Sequence, residues 1–365
     1  MPQVLQRIAL QLLPPTYWRQ QLAGCIQPIA RSEGKLRQLL VDVSVIALGD
    51  ARTGIQRVVR NLYKQLLHNP PPGYQVRPVM ANLRQGYAYL PPDFLDHLDT
   101  AAAAKPQGQA VQTGPGDIFF GLDLAARIVR SRIPDLLAWK RQGTRLIFMV
   151  YDLLPVLHPS WFNPRNTYHL TRWLRTLAIL ADDVVCISHT VRADFNAWMA
   201  QKWGLANSTG TAIASHVIQL GADANGFLPD AAQGPCADYL PAALNPGKAV
   251  LMVGTLEPRK GHADVLNAFE TLWALGDATQ LVIAGKKGWK IDALIARLQN
   301  HPEAGQRLHW VNSPSESALL ALYQRCNGLI MASKGEGFGL PIKEAQFFGL
   351  PVLARALPIF YEVAG

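Results

Sequence analysis

The sequence predicts an α/β protein of two domains, each built on a parallel sheet. Three observations lead there. Short apolar runs alternate with stretches of helical length. The alternation stops at a break rich in Gly, Pro, Ala and Asp and then restarts. The 365 residues suffice for two such domains. Short apolar strands separated by helices are buried on both faces, as a parallel sheet requires.

Residues 1–37 read as a basic and apolar extension. Its apolar stretch is broken by Arg7 and ended by Pro14 and Pro15, without a signal-peptide cleavage pattern. The first domain is expected over 38–230, with strands at QLLVDVSVIA (38–47), RLIFMV (145–150), DVVCIS (183–188) and HVIQL (216–220). A linker is expected over 231–247. The second domain then covers 248–365, with strands at AVLMVG (249–254), QLVIAG (280–285), LHWV (308–311) and GLIMAS (328–333). HADVLNAFETLWAL and ESALLALYQRC supply helices between them. No solenoid-type repeat is visible.

Composition narrows the function classes. No run of eighteen apolar residues occurs, so no spanning helix is expected. Cys25, Cys186, Cys236 and Cys326 are scattered without metal-ligand spacing, which suits reduced thiols in the cytoplasm. Residues 1–240 carry 23 Lys and Arg against 16 Asp and Glu, whereas 241–365 carry 12 against 10. That excess on the first half would favour an anionic membrane face, and hence a peripheral location on its inner side, or a diphosphate-bearing acceptor. A plain solvated basic surface fits it equally. Nucleic acid is not expected, because no long basic run or RNA-binding motif is present.

The most informative stretch is SKGEGFGLPIKEAQFFGLPVLA, Ser333 to Ala354. Glu336 lies on a loop with Gly335, Gly337 and Gly339, a helix opens near Pro341, and Glu344 follows eight residues after Glu336. Glycines allow close backbone approach to a ligand, and the free N–H groups at a helix start attract anions. Two carboxylates beside such a cradle would repel a phosphate and are better suited to hydroxyls. A phosphate flanked by hydroxyls describes a nucleotide sugar. VGTLEPRKGH (253–262) adds Arg259 and Lys260 at a strand–helix junction, where cations would stabilise a leaving diphosphate.

Acid-x7-acid enclosing GFG-x-P resembles the donor site of the retaining glycosyltransferases of family 4, the group 1 transferases. The resemblance runs from about Leu39 to the chain end, and GTLEPRKGH is similar to mannosyl- and rhamnosyl-type transferases of bacterial surface polysaccharides such as lipopolysaccharide O-antigen. It implies the GT-B architecture, two Rossmann-like domains facing a cleft. The family usually continues for several dozen residues past a segment like PIFYEVAG, so the second domain is expected to be incomplete.

The resemblance also implies roles. Gly254, Arg259, Lys260 and the Gly337, Phe338, Gly339 and Leu340 segment would hold the donor diphosphate, Glu336 the sugar hydroxyls and Glu344 the ribose. Some members carry an arginine where this chain has Thr255, leaving Arg259 to serve. The base would lie near Val311 and Asn312. Thr53, Gly54 and Arg57, with Arg52 beside them, would form the acceptor-side loop. Where many members place His-Asp, this chain has Tyr151-Asp152, so the Tyr151 hydroxyl is expected on the transferred sugar. His158 reads more simply as a surface or capping residue, and His189 as a helix-start residue.

The expected reaction is retaining transfer of a hexose, of mannose or rhamnose type and with GDP-mannose the leading donor, to a glycan or lipid-linked glycan. No cofactor or metal is expected. Two alternatives stay open: a sugar-nucleotide 2-epimerase of the same architecture, and an inactive scaffold or partner domain.

Overall fold

The computed structural model describes residues 13–23, 36–51, 53–98, 108–206, 212–221, 241 and 243–365. The chain divides into two compact units, Met1–Val156 with Pro164–Gln219, and Leu157–Asn163 with Leu220–Gly365. Most of the expected linker 231–247, and Arg52, lie outside the described residues.

The first unit holds a seven-stranded sheet ordered β3-β2-β1-β4-β5-β6-β7. Its strands are β1 (Arg37–Asp42), β2 (Tyr74–Met80), β3 (Ala88–Tyr89), β4 (Ile118–Gly121), β5 (Arg145–Val150), β6 (Asp183–Cys186) and β7 (Ala214–Val217). Only β3 runs antiparallel to its neighbour. Its helices are α1 (Pro15–Ala23), α2 (Ser44–Leu48), α3 (Gly54–His68), α4 (Ala126–Ser131), α5 (Ile133–Arg141), α6 (Pro164–Leu180) and α7 (His189–Trp203). Leu40, Val41, Phe119, Leu146, Phe148 and Val184 are fully or almost fully buried, so the sheet centre is apolar on both faces. Part of the expected extension is structured: α1 packs on α6, with Arg19 donating to the Ala181 carbonyl (2.8 Å) and Arg175 to that of Leu13 (2.6 Å).

The first expected strand is too long. β1 ends at Asp42, and 44–48 is helical. The Asp42 carboxylate accepts from the Ser44 amide (3.0 Å) and Ser44 Oγ (2.5 Å), while Asp123, from beyond β4, accepts from the Ile46 amide (2.7 Å). These side chains stop the strand and satisfy the first turn of α2.

The second unit carries a parallel sheet ordered β10-β9-β8-β11-β12, from β8 (Ala249–Val253), β9 (Gln280–Ala284), β10 (Leu308–Val311), β11 (Gly328–Met331) and β12 (Val352–Ala354). Between them lie α8 (His262–Ala274), α9 (Asp292–Gln299), α10 (Glu316–Arg325) and α11 (Leu340–Phe347), and α12 (Pro358–Ala364) follows. Leu256, Leu266, Phe269, Trp273, Leu281 and Ile283 centre its core.

Both sheets reverse strand order beside their first strand, between β1 and β4 and between β8 and β11. Loops leaving the carboxyl ends of such a strand pair diverge and open a crevice, the usual ligand position in this kind of sheet.

Candidate functional site

In the second unit the two sequence motifs meet at that reversal. The loop after β8 runs through Gly254, at φ +147°, to a short turn Pro258–Lys260 and into α8. The loop after β11 carries Ser333–Gly339 into α11, with Gly339 at φ +99° before the first helical residue. The helix opens at Leu340, one residue before the expected Pro341. The loops are fastened backbone to backbone, the Lys334 amide donating to the Arg259 carbonyl at 2.7 Å. A Cβ on Gly261 would lie 2.5 Å from the Ala332 carbonyl oxygen, so only glycine lets the loops approach this closely.

Arg259 and Lys260 converge on Glu336. Arg259 Nη1 donates to Glu336 Oε2 (2.8 Å) and to the Gly335 carbonyl (2.7 Å). Lys260 Nζ (2.5 Å) and Ser333 Oγ (2.6 Å) both donate to Glu336 Oε1. Arg259 Nη2 also pairs with Glu257 at 2.7 Å. Two cations and two carboxylates thus form a charge-balanced, largely buried cluster. Burial pushes the Glu336 pKa up, but Lys260 and then Arg259 outweigh it and bring it down to about 2. Glu336 is therefore ionised at any physiological pH, and both its oxygens face the cation pair.

Glu344 lies deeper. It is 1% exposed on α11 and accepts a short hydrogen bond from the Tyr323 hydroxyl on α10. Phe338 is buried, and Val311 and Asn312 sit at the end of β10, with the Val311 carbonyl taking the Gly285 amide at 3.0 Å. Ser315 caps α10, accepting from the Ala318 amide at 3.1 Å. Glu257, Ser333 and Tyr323 complete the cluster without having been singled out from the sequence. Glu257 carried a signal, an acid two residues before Arg259. Tyr323, 21 residues from Glu344, carried none.

In the first unit the loop leaving β1 is held just as closely. Thr53 caps α3, its hydroxyl accepting from the Gln56 amide (3.3 Å) while the Gln56 side chain accepts from the Thr53 amide (3.2 Å). Gly54 opens α3, and Arg57 lies in its first turn, partly buried. Tyr151, one residue past β5, is 3% exposed and donates to the Leu122 carbonyl at 2.7 Å, so the proton expected on a sugar is spent on backbone. Burial raises its pKa further. Asp152 accepts from the Leu154 amide at 3.0 Å. His158 falls in the segment that groups with the second unit and stacks on Trp161, ring centres 4.1 Å apart. His189 is the first residue of α7, beside its capping Ser188.

No helix among the described residues is long and apolar enough to cross a membrane. Nor do they group three or more His, Cys, Asp or Glu side chains as a metal site would.

Residues 242–365 match the family model for glycosyl transferases group 1. The chain is 37% identical over 345 residues to an Escherichia coli serotype-specific mannosyltransferase, WbdA, covering 93% of this chain and 42% of the relative. It thus spans less than half the length of that relative. An E. coli O-antigen chain mannosyltransferase B is 34% identical over 120 residues, covering 32% of this chain and 30% of the relative. Among solved structures, the catalytic domain of Arabidopsis thaliana starch synthase IV bound to ADP and acarbose superposes with a TM-score of 0.58 at 15% identity, over 90% of this chain and 84% of that one. Anabaena HepE in complex with UDP-glucose gives 0.51 at 16% identity, over 89% and 82%. The fold is GT-B, and the likeness to the glycosyl transferases group 1 family model lies in residues 242–365.

Proposed function

We propose that the chain is a retaining hexosyltransferase that moves mannose from a nucleoside diphosphate sugar, GDP-mannose, to a glycan or lipid-linked glycan at an anionic membrane surface. The observation that carries this reading is Arg259 and Lys260 gathered on Glu336 where β8 and β11 diverge. Its relatives support the sugar, since they are named as mannosyltransferases.

In this reading the donor diphosphate takes the cation pair and the N–H groups opening α11, where preorganised donors stabilise charge developing on the leaving group. Glu336 keeps Arg259 and Lys260 in place and faces the sugar, and Glu344 serves the ribose. The base lies by Val311 and Asn312. Gly254 gives the strand end room for the phosphates. Thr53, Gly54 and Arg57 serve the acceptor side, with Asp152 a further ligand. The acceptor hydroxyl attacks the anomeric carbon from the face the diphosphate leaves, and a phosphate oxygen takes its proton. Charge is met by side chains and amides, and the reading requires no metal.

The test is thermal shift with a panel of nucleotide sugars, followed by incubation with donor alone and with mannan oligosaccharides. A true donor at 100 times its dissociation constant adds about 2.7 kcal/mol of stability. Transfer only with acceptor, unchanged by a chelator, is the expected result. Epimerisation of donor alone, or a chain inert to every donor, would refute it.

A further inference from the structure

A second feature lies on the first unit, on the two helices that follow the loops leaving β4 and β5. Helices α4 and α6 pack side by side. On them sit Arg127, Arg130, Arg165 and Arg172, grouped around Tyr168 and His169. Tyr168 is 49% exposed, and two guanidinium groups flank its ring: Arg130 lies 5.7 Å and Arg172 5.5 Å from its centroid. Arg130 Nη1 also reaches the Tyr168 hydroxyl at 3.5 Å. Arg127 lies one turn before Arg130 on α4, and Arg165 one turn before Tyr168 on α6, so each shares a helix face with its neighbour. His169 is held below its ordinary pKa first by burial and then by the charges of Arg127, Arg130 and Arg165. Arg127 and Arg165 are themselves exposed.

None of these four arginines has a carboxylate partner among the described residues, whereas Arg132 next door pairs with Asp135 at 3.8 Å. Gathering like charges costs energy that an internal partner would normally offset. Among the described residues no carboxylate does so, and the first 240 residues carry a net charge of +7 from 23 Lys and Arg against 16 Asp and Glu. An external polyanion balances the account.

We propose that the α4–α6 face, Arg127, Arg130, Arg165 and Arg172 around Tyr168, docks the protein on an anionic lipid surface. Three arguments favour lipid headgroups. Arg165 and Arg172 are two helical turns apart, about 10 Å along the axis, which is too broad for a single phosphate. An exposed tyrosine among cations matches the amphipathic rings found at headgroup level. A docked face made of surface side chains also needs no spanning helix, and none is present among the described residues. The inference rests on the membrane location given in the proposed function, and it can fail while the mannosyl-transfer reading stands.

The test is co-sedimentation of the purified chain with vesicles of phosphatidylcholine alone or mixed with phosphatidylglycerol. Wild type should bind only the anionic vesicles and be released by salt. Arg127→Glu with Arg165→Glu should lower the partition coefficient by at least about 25-fold, taking about fivefold per arginine at an anionic surface. Lys64→Glu with Lys202→Glu makes the same change in net charge at other exposed positions and should stay within about twofold, since the effect is local to the screening length. Unchanged donor thermal shift and unchanged transfer to a soluble oligosaccharide in the arginine variant separate docking from the donor site. If the reversal disturbs folding, Arg127→Gln with Arg165→Gln replaces it. Equal partitioning of wild type and arginine variants overturns the proposal. So does binding of inorganic pyrophosphate or a DNA duplex without binding of anionic vesicles.

Discussion

Glu336→Gln perturbs the centre of the candidate site with almost no change in shape. The wild-type carboxylate accepts from Arg259, Lys260 and Ser333 within 2.5–2.8 Å. Its pKa falls from 4.5 to about 2, which corresponds to about 3 kcal/mol of folding stability. The sign follows from the direction: a depressed carboxylate contributes fully above its unfolded pKa, and the contribution disappears as pH falls from about 4.5 toward about 2. Gln keeps part of the hydrogen bonding but removes the negative charge that faces Arg259 and Lys260, while Glu257 stays paired with Arg259. Chemical denaturation at pH 7 should therefore show a loss of about 3 kcal/mol, with the gap to wild type closing on acidification. Turnover should fall a hundredfold or more. Nucleoside diphosphate should bind at least as tightly, because it now supplies the missing negative charge. Unchanged stability together with near-normal turnover would show that Glu336 neither holds the clamp nor serves the reaction.

Arg259→Ala and Lys260→Ala should each weaken nucleoside diphosphate binding by about 1.5–3 kcal/mol in calorimetry while leaving the nucleoside alone unaffected; equal losses for both ligands would point to a damaged domain. Tyr151→Phe removes the donor to the Leu122 carbonyl and should cost about 1–3 kcal/mol in thermal or denaturant unfolding with only a small change in kcat. A large fall in kcat at unchanged stability would return the Tyr151 hydroxyl to the sugar, and His158→Ala, which removes a stacked ring near Trp161, should be mild in either assay. Asp42 and Asp123 are raised mainly by burial, to about 7 and about 6, so each favours the fold in its protonated form. Their contribution is full below about pH 4 and lost as pH rises toward 7. Asp42→Asn should flatten that decline in melting temperature between pH 5 and 8, and an unaltered slope would refute the assignment.

The parts of this protein that were legible in the sequence are those that local chemistry decides. β5 and β10 occupy the segments that their apolar runs mark, and Gly339 with Pro341 announces the start of α11. Arg259, Lys260 and Glu336 were visible because each lies in a short contiguous motif beside a strand. What was missed depends on distant partners. Residues 44–47 continue the apolar run of β1 and are helical where Asp42 and Asp123 bind the amides of Ser44 and Ile46. Asp123 is 77 residues from Ile46, beyond any local pattern. β4 is four residues long and ends in a glycine, which weakens its strand signal. The Tyr323–Glu344 bond joins two helices whose proximity follows only from the order of β8, β11 and their crossovers.

The same distinction bears on the glycines of the donor loops. A glycine-rich loop beside an acid is easily taken as a bare cradle for phosphate. Several of these glycines have an earlier duty. A Cβ on Gly285 would stand 1.9 Å from the Gly254 carbonyl oxygen, and one on Gly288 2.4 Å from that of Leu256. Together with Gly261 against Ala332, they let the loops after β8, β9 and β11 lie in direct backbone contact. Without that approach, Arg259 and Lys260 would not reach across to Glu336, because the Lys334 amide and the Gly335 carbonyl that register the two loops would move apart. The glycines place the cations and the cations fix the acid, so the chemistry rests on a packing condition met by the absence of a side chain. Gly339 combines both roles: its φ of +99° turns the chain into α11, and its missing Cβ leaves room for the Phe360 ring, 3.0 Å from where that carbon would lie.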